Sequence, residues 1–283
     1  MSCIVLYPML SISIVTYNTS TDELRKCLAS LNAPIVKRIY IVDNSNQQYI
    51  SDFCKKYPNT IYIGGENVGY GAGHNIALRK ALADKELKYH LVLNSDVYFD
   101  PEILHKISDF MDANEDVAQI QPYVTFPNGE LQYTVRLLPT PANLIFRRFL
   151  PSSIVKKMDS RYTLAFWNHK TTANIAYHQG SFMFFRLSAF EKVGLFDERY
   201  FMYPEDIDIT RRMHKHFKTL YWPEVSIVHA HRAESYKNKK MLKIHIVNMI
   251  KYFNKWGWIF DSERKKVNAE ILETLGYNNK TNS

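Results

Sequence analysis

The N-terminal half of the chain alternates two hydrophobic patterns. Short, apolar, β-branched runs predict five strands: "SISIVTYN", "RIYIVDNS", "TIYIGG", "YHLVLNSDVYF" and "VAQIQPYV". Segments such as "TDELRKCLASL" and "PEILHKISDFM" carry apolar residues three and four positions apart, which predicts helices between these strands. Strands that alternate with helices form mostly parallel sheets covered on both faces. We therefore expect an α/β protein with a Rossmann-like, mostly parallel central sheet flanked by helices.

The second half of the chain is less regular. Between residues 125 and 176, prolines and basic residues replace the alternation and predict an irregular excursion. "HQGSFMFFRLSAFEKVG" then predicts a strand and a short helix, "YPEDIDITRRMHKHF" a helix, and "TLYWPEVSIVHAHRAES" a strand that leads into a loop. We expect one main domain over residues 1–235, with a basic, amphipathic helical region over residues 236–283 packed on it.

Composition narrows the class of protein. Hydrophobic residues make up 46% of the 283 positions and charged residues 23%, which excludes a largely disordered chain. The three cysteines have no metal-like spacing and cannot form a disulfide framework. No apolar run is long enough for a membrane-spanning helix, and the first ten residues lack a basic leader and a cleavage site. We expect a cytoplasmic protein.

Positive charge is concentrated near the C-terminus. The chain has a net charge of +8, and residues 236–266 hold nine Lys or Arg against two Asp or Glu. An apolar helical stripe lies in the same segment and consists of Leu242, Ile246, Met249, Ile250, Phe253, Trp256 and Phe260. Two interpretations remain open: peripheral attachment to the anionic inner face of the cell membrane, or a helix packed on the main domain with its lysines in solvent. No nucleic-acid recognition motif accompanies the charge, so we expect no nucleic-acid partner.

Two segments of the first half carry candidate chemistry. Asp96 follows the apolar run "LVLN", and a carboxylate at the end of a buried strand binds a hard cation or caps the next helix. In "NVGYGAGHN", glycines 69, 71 and 73 either let backbone N–H groups approach a phosphate at a helix N-terminus or form a tight turn. Neither segment alone shows whether it binds a ligand or has only a structural role.

Three segments of the second half add to them. "YPEDIDITRR" places three carboxylates within four residues, and crowding raises carboxylate pKa values toward those of a general base. The same acidic run would also suit the N-terminus of an ordinary helix. "VHAHRAES" offers His229, His231 and Arg232 for a metal or a phosphate, or is a surface loop. Gly180 and Ser181 stand at the start of a buried strand, where a glycine permits close approach of a substrate.

Taken together and in this order, these segments resemble glycosyltransferase family 2, with the nucleotide-sugar fold called GT-A. The most specific stretches are "SIVTYN", "IVDNSN", "ENVGYGAGHNIAL", "LVLNSDV", "GSFMFFRLSAFEKVGLFDERYFMYPEDIDITRR" and "VHAHRAES". The bacterial rhamnosyltransferase-like branch is the most similar. The resemblance covers about residues 11–257. It implies a nucleotide-sugar pocket formed by Thr16, Tyr17, Asn18, Asp43, Asn67, Gly69, Gly73, Asn75, Asn94, Ser95, Gly180, Ser181 and Arg232.

The resemblance also implies the chemistry. Asp43 would accept a hydrogen bond from N3–H of uracil or thymine. "NSD" stands where many relatives carry Asp-x-Asp, so Asp96 would be the lone carboxylate ligand of Mg or Mn, with His229 rather than His231 as second ligand. Asp206 would be the catalytic base, supported by Glu205.

The implied reaction is inverting transfer of a sugar, favoured as L-rhamnose from dTDP-L-rhamnose, to a saccharide or lipid-linked acceptor in surface polysaccharide synthesis. Two alternatives are a sugar-phosphate nucleotidyltransferase and a nucleotide-sugar-binding protein without catalysis. The first would need a basic, glycine-rich N-terminal loop, which "SIVTYNTSTDEL" does not provide. The second conflicts with the intact "PED" segment.

Overall fold

The computed structural model describes residues 9–145, 159–230 and 239–277, without the side chains of residues 239 and 240. Its strands are β1 Leu10–Thr16, β2 Val36–Asp43, β3 Thr60–Gly64, β4 Tyr89–Leu93, β5 Val97–Tyr98, β6 Val117–Thr125, β7 Val135–Arg136, β8 Ala173–Asn174, β9 Tyr177–His178, β10 Phe182–Arg186 and β11 Lys218–His229. Its helices are α1 Thr21–Ala29, α2 Gln48–Cys54, α3 Tyr70–Ala83, α4 Glu102–Ala113, α5 Pro141–Leu144, α6 Ala189–Val193, α7 Glu205–His214, α8 Lys239–Trp256 and α9 Ser262–Thr274.

One large sheet organises the molecule, with the strand order β3-β2-β1-β4-β10-β6-β11-β5. β1 pairs in parallel with both β2 and β4, and β3 pairs in parallel with β2. The chain therefore runs outward from β1 to β3 and returns through α3 to the other side of β1. This reversal is a topological switch point, where α/β proteins bind ligands beyond the carboxyl ends of the strands.

The α/β fold class predicted from the sequence is confirmed, with two differences in detail. The run "YHLVLNSDVYF" is two strands rather than one, because a turn after Leu93 sends Val97 and Tyr98 to pair antiparallel with β11. The second half of the sheet is mixed, since β10 runs antiparallel between β4 and β6. The sequence pattern shows where a strand lies but not in which direction it enters the sheet.

The glycine-rich segment is a third point of difference. α3 begins at Tyr70, so Gly71 and Gly73 belong to its first turn rather than to a turn before it. A Cβ on Gly73 would come 2.8 Å from Cγ2 of Val15 on β1, and a Cβ on Gly71 would come 3.3 Å from Cβ of Glu205. The glycines therefore let α3 pack closely on β1 and on α7.

The C-terminal helices pack on the main domain. Tyr252 and Phe253 of α8 are fully buried in a hydrophobic cluster that also contains Val135 and Ile207. The apolar stripe predicted from the sequence is rotated, because Met249 and Phe253 face the core while Ile246 and Ile250 are 36% and 39% exposed.

Buried charges join the same helices to α7. Arg211 donates to both carboxylate oxygens of Asp261, at 2.8 and 2.7 Å. Asp208 accepts from Trp256 Nε1 at 2.8 Å and pairs with Arg212 at 2.9 Å. These bonds hold α7 against the C-terminal helices.

Within the described ranges, no helix has the length and hydrophobicity needed to cross a membrane.

Candidate active site

A carboxylate and an imidazole meet at the ends of β4 and β11. Asp96 lies in the turn between β4 and β5, and its Oδ1 is 3.3 Å from Nε2 of His229, the last residue of β11. The other ring nitrogen, Nδ1, lies 2.9 Å from Oε1 of Gln132. The Gln132 amide is oriented by its Nε2, which donates to the carbonyl of His229 at 2.7 Å. The sequence predicted that Asp96 and His229 act together, and the structure brings them together.

This pair offers two groups that a divalent cation such as Mn²⁺ accepts as ligands, a carboxylate oxygen and an imidazole nitrogen. Because Oε1 of Gln132 is an acceptor, Nδ1 of His229 donates to it, and Nε2 is the ring nitrogen that faces Asp96. A hydrogen bond of this kind on the second ring nitrogen is typical of metal-bound histidines. In residues 9–145, 159–230 and 239–277 no third Asp, Glu, His or Cys joins them. Substrate oxygens and water would have to complete the coordination of a cation.

A second acidic pair begins α7. Tyr203 adopts φ 97°, a left-handed conformation that is rare for a tyrosine, and Pro204 then starts the helical turn. Glu205 and Asp206 are 3% and 7% exposed. Oδ2 of Asp206 accepts from the N–H of Gly180 at 3.0 Å, and Oδ1 accepts from its neighbour Ile207 at 2.7 Å.

The surroundings divide the charge unequally between these two carboxyl groups. Burial raises both pKa values, and the proximity of Asp206 raises that of Glu205 further. For Asp206 this rise is opposed by the two N–H donors and by the positive charge of Arg136. Backbone N–H groups also oppose the rise at Glu205, but its Oε2 is buried and finds no hydrogen-bond partner among the described residues. Both carboxyl groups therefore have pKa values well above those of ordinary carboxyl groups, and Asp206, whose charged form receives more stabilisation, is the more readily ionised of the two.

Tyr70 connects the two acidic regions. Its hydroxyl lies 2.8 Å from Oδ1 of Asn94 and 2.6 Å from the carbonyl of Gly180. Burial raises the pKa of Tyr70 well above its ordinary value, and the charges of Glu205, Asp206 and Asp96 raise it further. The phenol therefore keeps its single proton, which it donates either to Asn94 or to Gly180, the residues that link it to the two pairs.

The residues predicted to surround the sugar differ in whether their polar side chains already have hydrogen-bond partners. Ser95 donates to Glu23 of α1 at 2.5 Å, so its hydroxyl faces that helix. Ser181 is 2% exposed, and its hydroxyl has no partner within the part of the chain described here. Asn94 receives the Tyr70 hydroxyl through its side chain. Ser181 is therefore the polar group in this set that still lacks a partner.

The residues predicted to bind the nucleotide also differ in exposure and in hydrogen bonding. Tyr17 is 61% exposed at the end of β1, and Asn18 is also exposed, with φ 51°. Thr16 is buried and donates to Asp43 at 3.1 Å. Asp43 is fully buried and also accepts from Ser45 N and Oγ, Gln47 N and Tyr62 OH. A base could reach this carboxylate only if one of these donors moved.

The loop before α3 has one exposed residue and one fixed glycine. Asn67 is exposed, and its side chain accepts from the N–H of Gly69. Gly69 has φ 92°, and a Cβ there would lie 2.3 Å from the carbonyl of Phe201. Asn75 is 1% exposed and its amide bonds to both backbone groups of Phe196. We therefore leave Asn75 and the buried Gly73 outside the pocket proposed below.

Some residues of the site were missed or cannot be placed. Gln132, Arg136 and Tyr70 lie in segments whose sequence pattern is irregular or glycine-rich, and nothing local marks them. Gln132 and Arg136 both belong to the run "GELQYTVR". His231 and Arg232 lie outside the described residues.

The switch-point sheet, the Asp96–His229 pair and the buried acidic pair define an α/β enzyme of the GT-A class. The sequence profile of the family described as "Glycosyl transferase family 2" matches residues 11–194, well over half of the chain. The chain belongs to this family, as the sequence resemblance predicted.

Individual relatives agree with the rhamnosyltransferase-like branch. The chain is 26% identical over 246 residues to N-acetylglucosaminyl-diphospho-decaprenol L-rhamnosyltransferase of Mycobacterium tuberculosis (strain ATCC 25618 / H37Rv), covering 80% of this chain and 77% of the relative. It is 26% identical over 249 residues to Rhamnosyltransferase WbbL of Escherichia coli (strain K12), covering 84% and 90%.

Solved structures confirm the fold. GalNAc-T7 with UDP, GalNAc and Mn²⁺ superposes with a TM-score of 0.63 at 13% identity, covering 95% of this chain but only 57% of that one. S. aureus TarS 1-349 with UDP-GlcNAc gives a TM-score of 0.56 at 15% identity, covering 96% and 74%.

Proposed function

We propose that this protein transfers a sugar from a nucleoside diphosphate to an acceptor hydroxyl with inversion at the anomeric carbon. The observation that carries the proposal is the joining of two pairs of side chains through Tyr70: Asp96–His229, suited to a cation, and Glu205–Asp206, whose pKa values are raised. Inverting transfer needs a base on one face of the sugar and charge stabilisation on the other.

The residues of the chain take separate parts in this reaction. Asp206, ionised and held by the N–H of Gly180, removes the proton of the acceptor hydroxyl. The oxygen attacks the anomeric carbon, the bond to the diphosphate breaks, and no covalent enzyme intermediate forms. Glu205 keeps its proton and limits the negative charge next to the base. Tyr70 holds Asn94 and the Gly180 carbonyl in fixed positions.

Asp96 and His229 would hold a divalent cation, Mg or Mn. When bound, the cation supplies Lewis-acid stabilisation of the charge on the leaving diphosphate. The closeness of His229 Nε2 to Asp96 supports this assignment, and GalNAc-T7, of like fold, was solved with UDP and Mn²⁺. Thr16, Tyr17, Asn18 and Asn67 would border the nucleotide, and Gly180 and Ser181 the sugar.

For the donor we favour L-rhamnose from dTDP-L-rhamnose, because two relatives bear the name rhamnosyltransferase. The acceptor would be a saccharide or a lipid-linked sugar in surface polysaccharide synthesis, since one of these relatives is named for a diphospho-decaprenol substrate.

We further propose a cytoplasmic location with peripheral contact at the inner face of the membrane. The exposed side of α8 places Ile246, Val247 and Ile250 beside Lys243 and Lys251. This corrected face combines apolar and basic residues, as interfacial helices do. Flotation with vesicles of anionic and of neutral lipid tests it. Binding to anionic vesicles that weakens with salt and is lost in Ile250→Glu is expected, whereas equal behaviour of both vesicle types would contradict it.

Nucleotide-sugar binding is the first test of the proposed function. We expect dTDP-L-rhamnose to raise the melting temperature in the presence of Mn²⁺ or Mg²⁺ and to do so less with a chelator. UDP-linked sugars serve as comparison donors. Product formation with a synthetic acceptor would then separate an enzyme from a binding protein. No shift with any nucleotide sugar under any metal condition would contradict the proposal.

A further inference from the structure

Arg136 is a cation near the proposed base Asp206. The reaction described above assigns no role to this arginine. It ends the short strand β7 and pairs with Tyr177 of β9, the strand that leads to Gly180. Its guanidinium carbon lies 5.8 Å from the ring centre of Tyr162 and 5.9 Å from that of Tyr177. Its Nε donates to the carbonyl of Tyr133 at 3.2 Å. The two rings and the carbonyl hold the side chain in place.

Arg136 differs from Arg211 and Arg212 in its carboxylate partners. Arg211 and Arg212 each pair with a carboxylate within 3 Å. Arg136 is half-buried, yet it forms no ion pair with a carboxylate among the described residues. Its charge acts on Asp206, which lies outside ion-pair distance. Withdrawing an arginine from water without an anionic partner is unfavourable, so the position suits an anion supplied from outside the chain.

The geometry of the guanidinium group indicates which anion. Nε donates to Tyr133 and the Tyr162 hydroxyl also interacts with the guanidinium group, but the edge that bears Nη1 and Nη2 contacts no carboxylate among the described residues. Two parallel N–H groups on that edge match two oxygens of one phosphate. Both substrates of the proposed reaction could carry phosphate: the donor as its diphosphate, and a lipid-linked acceptor through its own phosphate link.

We propose that Arg136 binds phosphate oxygens of a substrate beside Asp206, as a cationic contact separate from the Asp96–His229 pair. This rests on the proposed function only for the identity of the two phosphate sources. The contact would select phosphorylated substrates and keep them next to the base.

The test compares Arg136→Gln and Arg136→Lys with a charge-matched control, Arg38→Gln, which removes an exposed arginine of β2. Binding is measured by calorimetry with UDP, with dTDP, and with inorganic phosphate added to protein already saturated with nucleotide and Mn²⁺. Thermal melting without ligand verifies that each variant is folded. Loss of a two-pronged phosphate contact should weaken binding about 10- to 100-fold in Arg136→Gln, with partial recovery in Arg136→Lys.

Each result decides a question. Weaker phosphate binding to the nucleotide-saturated protein would support the proposal and assign the contact to the acceptor. Weaker UDP or dTDP binding alone would support it and assign the contact to the donor. Unchanged binding of all three probes in a folded Arg136→Gln protein would overturn it. If no nucleotide binds the wild-type protein, the proposed function fails, while phosphate binding to the free protein still tests Arg136.

Discussion

Asp43 and Asp206 are both buried aspartates of the candidate site, but their surroundings shift their pKa values in opposite directions. Burial raises the pKa of Asp43, yet hydrogen bonds from Ser45, Gln47 and Thr16 outweigh it and hold the pKa below its ordinary value. Burial also raises the pKa of Asp206, where two backbone N–H groups and Arg136 oppose it only in part. The balance between donors and desolvation thus sets the direction in which each pKa moves.

This difference separates a carboxylate that already has several donors from the carboxylate that we propose as the general base. Asp43 is saturated by donors and ties β1, the loop after β2 and Tyr62 together. Asp206 retains the capacity to accept a proton near neutral pH, which is what a general base requires. Five predictions test the contrast, from the largest expected effect to the smallest.

Replacing the base should have the largest effect on activity. We expect Asp206→Asn to lower the transfer rate by about 10²–10⁴-fold, because the proton acceptor is lost while the shape is kept. Nucleotide affinity, measured by calorimetry, should stay near that of the wild type. Turnover close to normal would remove Asp206 from the role of base.

Replacing Asp43 should act mainly on stability. We expect Asp43→Asn to lower the free energy of unfolding by about 2–4 kcal/mol, because several buried donors lose a charged acceptor. Urea denaturation measures this. Asp22→Asn, which changes a carboxylate with an 80% exposed side chain, is the matched control and should change little. If both variants lose the same stability, the hydrogen-bond hub is not what stabilises this region.

Asp96 is a third case, since its charge should be balanced by a cation rather than by donors of the protein. We expect Asp96→Ala to weaken nucleotide binding about 10- to 100-fold in Mn²⁺ and to have a much smaller effect with a chelator. Calorimetry under both conditions measures the difference. An unchanged metal titration would place the cation elsewhere.

The pH dependence of transfer follows from the raised pKa of Asp206. A base must be deprotonated, so kcat/KM should fall as the pH drops through the pKa of the pair, well above that of an ordinary aspartate. A pH–rate profile measures this acid limb. In Asp43→Asn the limb should stay in place, because Asp43 takes no part in the proton transfer. An acid limb near pH 4 in the wild type would show that the base is not buried as described.

Glu205→Gln should have the smallest effect of the five changes. We expect it to alter how the stability of the protein depends on pH. The folded pKa of Glu205 is raised to about 8, so its favourable contribution is complete below the ordinary carboxyl pKa and is lost as pH rises toward 8. Gln does not titrate. The melting temperature of Glu205→Gln relative to the wild type should therefore increase between pH 5 and pH 9. A difference that stays constant with pH would contradict the protonated state of Glu205.

Much of the site could be anticipated from local sequence. Asp96 and His229 follow apolar runs, so their places at the ends of strands could be predicted, and the structure puts them 3.3 Å apart. Glu205 and Asp206 stand next to one another in a helix start that the sequence marks with Pro204. In contrast, the glycines of α3 looked like a phosphate loop but serve close packing, because local sequence does not show which element lies against them.

The sequence by itself determined the alternating strands and helices, the family, and the residue types available for chemistry, because periodicity and turn residues act over short stretches of chain. Only the tertiary structure decided which carboxylate is the more readily ionised, which histidine nitrogen faces Asp96, and that Tyr70 and Arg136 belong to the site. The same holds for α8, whose exposed face depends on which side meets the buried cluster around Val135 and Ile207. Burial, donor number and charge proximity arise from residues far apart in the chain, and only folding brings them together.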